Sequence, residues 1–256
     1  MRPCSRPRSE ILLRAVALAL VCAGLLSLAV WPAAAQVTPE QRQQIEAIVH
    51  DYLMKNPEVL LDALQAAEDK MKGEARDKAA QMLVQRRQEI YSDPMTPVGG
   101  NPQGDVSLVE FFDYRCPYCK QVEPSIEALG RDDRQLRLVF KEFPVLGPES
   151  VTAARAALAA RKQGKYDAFH TAMMAAKGQI SDTVVYNVAG SVGLDLDRLK
   201  RDMASPEIDQ MLKDNLALAE DLDIHGTPAF IIGSQIVPGA VDIGTLKQLI
   251  ADARAR

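Results

Sequence analysis

The sequence predicts an α/β fold in which a small mixed sheet is interrupted by a block of helices and preceded by a separate helical extension. Three observations predict it. Short apolar runs at Val106–Phe112, Leu136–Phe140, Ala229–Ile232 and Gln235–Val237 read as strands. The pattern from Ser150 to about Leu222 is helical throughout, broken only at Gly, Ser-Asp, Gly-Leu-Asp and Ser-Pro. A Pro- and Gly-rich stretch, 92–104, divides the strand-bearing part from helical sequence before it.

The chain opens with Arg2, Arg6, Arg8 and Arg14, an apolar run from Ala15 to Val30, and the small residues Ala33-Ala34-Ala35. That is the layout of a secretory signal peptide cut after Ala35. The run is about 16 residues, short of the roughly 20 that a spanning helix wants. Residues 1–35 are therefore expected to leave, with Cys4 and Cys22, and the product is expected to be soluble and exported. The leader takes four Arg and one Glu from 30 basic and 34 acidic residues, leaving 26 against 33, a net charge of −7. An acidic surface repels phosphates, so nucleic acid is not an expected partner.

Residues 36–91 form the helical extension. Thr38 suits an N-cap and Pro39 the first helical position of a helix over 38–55. Ile45, Ile48, Val49, Tyr52 and Leu53 share one of its faces. Asn56-Pro57 starts a longer helix reaching Tyr91, with Leu60, Leu64, Ala67, Met71, Ala75, Ala79 and Met82 at steps of three and four. This apolar stripe must bury itself. It either packs on the catalytic part or serves as a self-association stalk, and the length of the element leans toward the stalk and a homo-oligomer through 36–91. Residues 92–104 are expected to be a linker, and 105–256 the catalytic domain, with its helical insertion at about 148–222.

Val106–Phe112 reads as a buried strand running directly into Cys116-Pro117-Tyr118-Cys119, where a helix should begin because Pro117 fits its first turn. Val122, Ile126 and Leu129 share a face, and Pro124 is expected to kink the helix. Leu136–Phe140 is the next strand. Helices are expected at 151–162, 165–177, 182–192, 195–204 and 207–222. Ala229–Ile232 and Gln235–Val237 pair across the Gly233-Ser234 turn, and 242–253 closes the chain as an amphipathic helix.

Only Cys116 and Cys119 remain in the mature chain. A pair three residues apart closes almost no loop, so it does little as a structural crosslink. It suits redox exchange instead. At the head of a helix, unsatisfied N–H groups and the positive end of the dipole favour thiolate over thiol at Cys116. Cys119, one turn inward, is placed to resolve a mixed disulfide. A zinc site would need four ligands, and His50, His170 and His225 are far apart in sequence, so no metal is expected. The redox-active pair itself stands in for a cofactor. Glu110 lies six residues before Cys116 in an apolar strand and can take the proton from Cys119 if it faces inward; facing solvent, it would be an ordinary strand residue. Gly226-Thr227-Pro228 before a strand suits a tight turn, including a cis one.

The run Val109-Glu110-Phe111-Phe112-Asp113-Tyr114-Arg115-Cys116-Pro117-Tyr118-Cys119-Lys120 resembles the active-site strand and helix of the DsbA-like periplasmic thiol–disulfide oxidoreductases, and Gly226-Thr227-Pro228-Ala229-Phe230 resembles their cis-proline segment. The resemblance covers roughly 105–254 and implies a thioredoxin fold with an inserted helical domain. It implies that Cys116 attacks, that Cys119 resolves, that Glu110 is the buried acid, and that Pro117, Tyr118, Thr227 and Pro228 meet the substrate. It further implies a periplasmic enzyme acting on exported proteins that carry cysteines, with a membrane redox partner that resets the disulfide. The sequence departs from the strong oxidases of the family, which have His where Tyr118 stands and Val where Thr227 stands. Pro-Tyr with Thr-Pro is more similar to the isomerase branch. The extension at 38–91 is similar to the oligomeric members linked to copper tolerance, the suppressor-of-copper-sensitivity C proteins. The expected activity is therefore disulfide isomerase or oxidase. Two other readings stay open: a copper(I)-binding protein using both thiolates, and a holdase using the apolar stripe. His225, near the proline turn, either faces the site or is a loop histidine.

Overall fold

A computed structural model describes residues 37–255. The expected leader, 1–35, lies outside the described residues. The chain divides into two units, up to Glu68 and from Asp69 onward.

In the first unit, α1 (Pro39–Lys55) begins as its sequence dictates. Thr38 Oγ1 accepts from the Gln41 backbone N–H at 3.2 Å, and Gln41 Oε1 accepts from the Thr38 N–H at 3.0 Å. Two orphan donors are thus satisfied reciprocally, with Pro39 at the first helical position. Asn56 ends α1, its side-chain amide donating to the Tyr52 carbonyl at 2.7 Å. α2 (Glu58–Gln85) follows. The apolar stripe of both helices is exposed over this unit: Ile48, Tyr52, Leu60 and Leu64 all lie open to solvent.

In the second unit, α2 ends at Gln85 and a five-residue helix, α3 (Arg87–Tyr91), follows, where the sequence pattern predicts one helix to Tyr91. The break falls at Arg86, whose backbone leaves the helical region at φ −97°, ψ 15°. Its guanidinium pairs with Asp221 far along the chain and bonds Glu89 at 2.6 Å. One of these pairs is long-range and the other local, and both meet at the break. Leu83 and Ile90 are buried with Val109, Phe111, Val139 and Leu218. Met82, the last residue of the stripe, packs against this cluster.

Residues 92–104 are not a free linker. They carry β1 (Val98–Gly100), antiparallel to β3 (Leu136–Glu142). The glycines that read as linker chemistry are there for close approach. A Cβ on Gly99 would sit 2.9 Å from the Phe140 ring, and one on Gly100, at φ +61°, would sit 2.7 Å from the Leu136 carbonyl oxygen.

The remaining elements fall where periodicity places them. β2 (Val106–Phe112) is joined to β3 through α4 (Pro117–Asp132), a crossover that makes the pair parallel. α4 continues through Pro124. Five helices follow, α5 (Pro148–Arg161), α6 (Tyr166–Ala175), α7 (Asp182–Ser191), α8 (Leu196–Met203) and α9 (Pro206–Asp221). They form the predicted insertion. β4 (Ala229–Ile232) returns antiparallel to β2, β5 (Gln235–Pro238) pairs with β4, and α10 (Ile243–Arg254) closes the chain. The five-stranded order is β1-β3-β2-β4-β5.

β2 is central and buried on both faces, so its alternation sorts residues between two cores. Val109 and Phe111 face the cluster under α3 and α9. Leu108 and Phe112 face the larger cluster that also holds Cys119, Val122, Ile126 and the insertion's alanines. Glu110, between Leu108 and Phe112, shares their side.

Candidate dithiol site

Three segments build the site: the end of β2, the first turn of α4 and the turn into β4. Asp113, just past β2, fixes the first of these. One carboxylate oxygen accepts from the Arg115 N–H and the Ser150 hydroxyl, both at 2.8 Å. The other accepts from the Val145 and Leu146 N–H groups at 2.9 and 3.0 Å. A single buried carboxylate thus ties the loop after β3 and the start of the insertion to the strand that delivers the cysteines. Nothing in the sequence pattern singled Asp113 out, since three of its four partners are 32–37 residues away.

Cys116 is the N-cap of α4, at φ −71°, ψ 117°, with Pro117 at the first helical position. Its sulfur accepts from the Cys119 backbone N–H at 3.4 Å, one of the donors that a helix start leaves unsatisfied. The Cys116 thiol also donates to the Thr227 carbonyl at 3.2 Å. Both cysteines are free thiols. Cys116 is 3% exposed and Cys119 fully buried. Pro117 and Tyr118 are exposed at the rim. The Thr227–Pro228 peptide is cis, and the Pro228 carbonyl accepts from the Gly239 N–H at 2.8 Å. Cys116, Cys119, Pro117, Tyr118, Thr227 and Pro228 are therefore brought together.

Glu110 lies on the same side of the sheet as Cys119. It is fully buried, and neither carboxylate oxygen has a hydrogen-bond partner in the protein. Its alternative as a solvent-facing strand residue is excluded. Burial, then the charges of Glu123, Cys116 and Glu142, hold its pKa well above the usual carboxylate range. Burial, and after it the charge of Glu110, push the Cys119 thiol far up. The inner sulfur thus stays a thiol, and Glu110 is the charged neighbour it feels most.

His225 does not face the sulfurs. Its ring is exposed and sits 2.8 Å from Asp223. Lys120, directly after the motif, has a clear structural task. Its ammonium donates to the carbonyls of Met173, Met174 and Ala176 at 2.8, 3.1 and 2.9 Å, capping the C-terminus of α6 and fastening the insertion to the cysteine-bearing helix. Behind the site, Glu142 accepts from the Tyr114 and Tyr166 hydroxyls at 3.1 and 2.9 Å on one oxygen. Among the described residues, no group of three or more His, Cys, Asp or Glu is placed to hold a metal, and no helix is long and apolar enough to cross a membrane.

Residues 107–251 match the DSBA-like thioredoxin domain, and residues 41–72 match the copper resistance protein ScsC N-terminal domain. A thioredoxin-like oxidoreductase from Silicibacter pomeroyi DSS-3 is 46% identical with a TM-score of 0.65, covering 66% of this chain and 98% of its own. Proteus mirabilis ScsC in a transitional conformation is 30% identical with a TM-score of 0.65, covering 86% of this chain and 99% of its own. The Na(+)/H(+) antiporter NhaA 1 of Salinispora arenicola is 30% identical over 166 residues, or 62% of this chain. The chain spans only 24% of that curated relative's length.

Proposed function

Because the chain belongs to the DSBA-like thioredoxin domain family, whose fold and thiol–disulfide oxidoreductase class it shares, we propose that it exchanges disulfides in exported proteins through Cys116 and Cys119, in the periplasm, with isomerisation as its main task. The observation that carries this reading is the placement of one sulfur at the head of α4. Cys116 caps the helix and accepts the Cys119 N–H at 3.4 Å, with the Thr227 carbonyl 3.2 Å from the same sulfur. A client cysteine approaching along the Thr227–Pro228 segment meets the nucleophile before it can meet Cys119. A mainly apolar groove of about 510 Å³ opens beside that segment, walled by Ala79 and Leu83 of α2 and by Ile236 and Gly239, and suits an extended client backbone.

Isomerisation favours a reduced Cys116 thiolate, whereas oxidation requires the Cys116–Cys119 disulfide to be kept oxidised by a membrane partner. Tyr118 in place of the oxidases' His, with Thr227 before the proline, supports the first. Reduced protein is expected to reactivate a client with scrambled disulfides, and Cys116→Ser to leave it at the uncatalysed rate. Equal reactivation by both proteins would overturn the proposal. A glutathione redox titration of the pair gives the poise that separates isomerase from oxidase.

The exposed stripe of α1 and α2, in the segment similar to the ScsC N-terminal domain, supports self-association. Light scattering is expected to give a multiple of the chain mass for residues 36–256, and a single chain mass once 36–68 are removed. A single mass for both would remove the stalk from the proposal. The same similarity favours copper(I) binding by the two thiolates as a second reading. Tight Cu(I) binding without turnover on any dithiol client would reverse the order.

A further inference from the structure

β5 is an edge strand, last in the order β1-β3-β2-β4-β5. Its rungs with β4 join Gln235 to Ile232, Ile236 to Ile231, Val237 to Phe230 and Pro238 to Ala229. In an antiparallel pair, hydrogen-bonded and non-bonded rungs alternate. The Gly239 N–H donates to the Pro228 carbonyl at 2.8 Å, so that rung is a bonded one. Two and four residues back, Val237 and Gln235 bond across to β4 as well. Ile236 and Pro238 lie on the rungs between, and their backbone groups point away from β4. Proline has no N–H. Between Gln235 and Gly239 the free edge therefore offers one donor, the Ile236 N–H, and two acceptors, the Ile236 and Pro238 carbonyls.

This edge borders the groove of about 510 Å³. Ala75, Ala79 and Ala80 of α2 form the wall opposite Ile236 and Pro238, and their small side chains leave the groove wide. It continues past Ala80, Leu83, Ser234 and Gln235 into a second hollow of about 580 Å³ that ends at Tyr91. At its other end it reaches Thr227, whose carbonyl is 3.2 Å from the Cys116 sulfur. A Cβ on Gly226 or Gly239 would meet nothing within 4 Å, so the way from the sulfur to the edge is open there.

We propose that a client docks as an added strand on β5, antiparallel to it, and exchanges both backbone hydrogen bonds with Ile236. This rests on the dithiol-exchange reading and names the class of client: an unfolded, extended segment on the C-terminal side of the reacting cysteine, without proline at the pairing position. The direction follows from β5 itself. It runs toward the sulfur, since Gly239 lies level with Pro228, and an antiparallel neighbour runs away from it. The spacing follows too. Ile236 is four residues from the level of Thr227, about 13 Å, and the added strand lies two strand spacings from β4, about 10 Å. The diagonal is about 16 Å, so the residue opposite Ile236 is about the fifth after the client's cysteine. Glutathione is too short to reach it. Pro238 withholds the next donor, which keeps the edge from pairing along its length with a chance strand.

The test uses reduced protein and soluble peptides whose single central cysteine carries thionitrobenzoate in a disulfide. The Cys116 thiolate attacks the peptide's sulfur, the Cys116–peptide bond forms, and thionitrobenzoate leaves as a coloured anion whose release gives the rate. Each rate is divided by that of the same protein with glutathione carrying the same group, which cancels any damage at the sulfur. Peptides are N-methylated at one backbone nitrogen at a time. Methylation at one position among the fourth to sixth residues after the cysteine is expected to lower the ratio about tenfold, through a lost hydrogen bond and a clash with the edge. Methylation at the same distances before the cysteine is expected to change it less than about twofold. Ile236→Pro is expected to lower the ratio about fivefold further than Ile236→Ala, because both lose the side chain but only proline loses the outward N–H, and neither loses a bond to β4. Equal ratios in the two variants, or rates indifferent to methylation after the cysteine, would overturn the added strand. So would light scattering in which Ile236→Pro alone lowers the particle mass, which gives the edge to a second copy of the chain. No release by the parent from any peptide would sink the dithiol-exchange reading itself, a different failure.

Discussion

Replacing Cys119 by serine is expected to leave client proteins joined to Cys116 as long-lived mixed disulfides, recoverable on a non-reducing gel. The asymmetry of the two sulfurs is the reason. Cys116 sits at the N-cap, with a backbone N–H directed at it and the proline turn 3.2 Å away. Cys119 is fully buried, and burial and the Glu110 charge hold it as a thiol. The first attack therefore belongs to Cys116, and release from the adduct belongs to Cys119. A neighbouring group on a rigid helix acts at an effective concentration far above that of any dissolved thiol. Without it, release waits on external thiol, and adduct lifetime in millimolar glutathione should rise by on the order of a thousandfold. Cys116→Ser should give no adducts under the same conditions. Adducts no more abundant in Cys119→Ser than in the parent would show that the inner sulfur does not resolve.

The parts of the site that share a short stretch of chain were legible in the sequence. Cys116, Pro117 and Cys119 declare themselves by spacing, and strand alternation was enough to make Glu110 a candidate for the inner face. The turn at Thr227–Pro228 could be paired with them only by resemblance, since 111 residues separate Thr227 from Cys116. What the sequence hid depends on tertiary contact. The glycines at 99 and 100 look like linker residues, yet each is required by the approach of β1 to β3. The end of α2 coincides with an ion pair from Arg86 to Asp221, which no local window contains. The apolar stripe reads as one feature along α1 and α2, but it has two fates: Met82 packs against the core, while Ile48 and Leu64 remain exposed. His170 was dismissed because histidines distant in sequence make a poor metal set, and its partners Tyr114 and Glu123 come from two other segments.

Glu110→Gln is expected to stabilise the protein increasingly as pH rises while slowing disulfide resolution. The folded-state pKa of Glu110 lies well above its ordinary value of 4.5, with burial as the first cause. The folded state therefore holds this proton more tightly than the unfolded chain does. The sign follows from proton linkage. Whatever stability the protonated carboxyl contributes is fully present below about pH 4.5 and is lost as pH rises through the folded pKa. A buried charge without a hydrogen-bond partner then forms, and the fold bears it. Glutamine keeps the shape and never acquires that charge. The melting temperature of Glu110→Gln should match the parent near pH 4 and exceed it by several degrees at pH 8, each kcal/mol being worth about 2–4 °C in a protein of this size. Glu142, whose pKa is also raised, chiefly by burial, titrates in both proteins, so the difference between the two curves isolates Glu110. The same amide cannot accept the Cys119 proton, so decay of a Cys116–glutathione mixed disulfide should slow by roughly a hundredfold. A parent-like melting curve at every pH would mean that the folded-state pKa of Glu110 does not lie above its unfolded value. A parent-like decay rate would mean that Cys119 loses its proton by another route. The two readouts fail separately, which makes this one substitution a test of both the burial and the chemistry of Glu110.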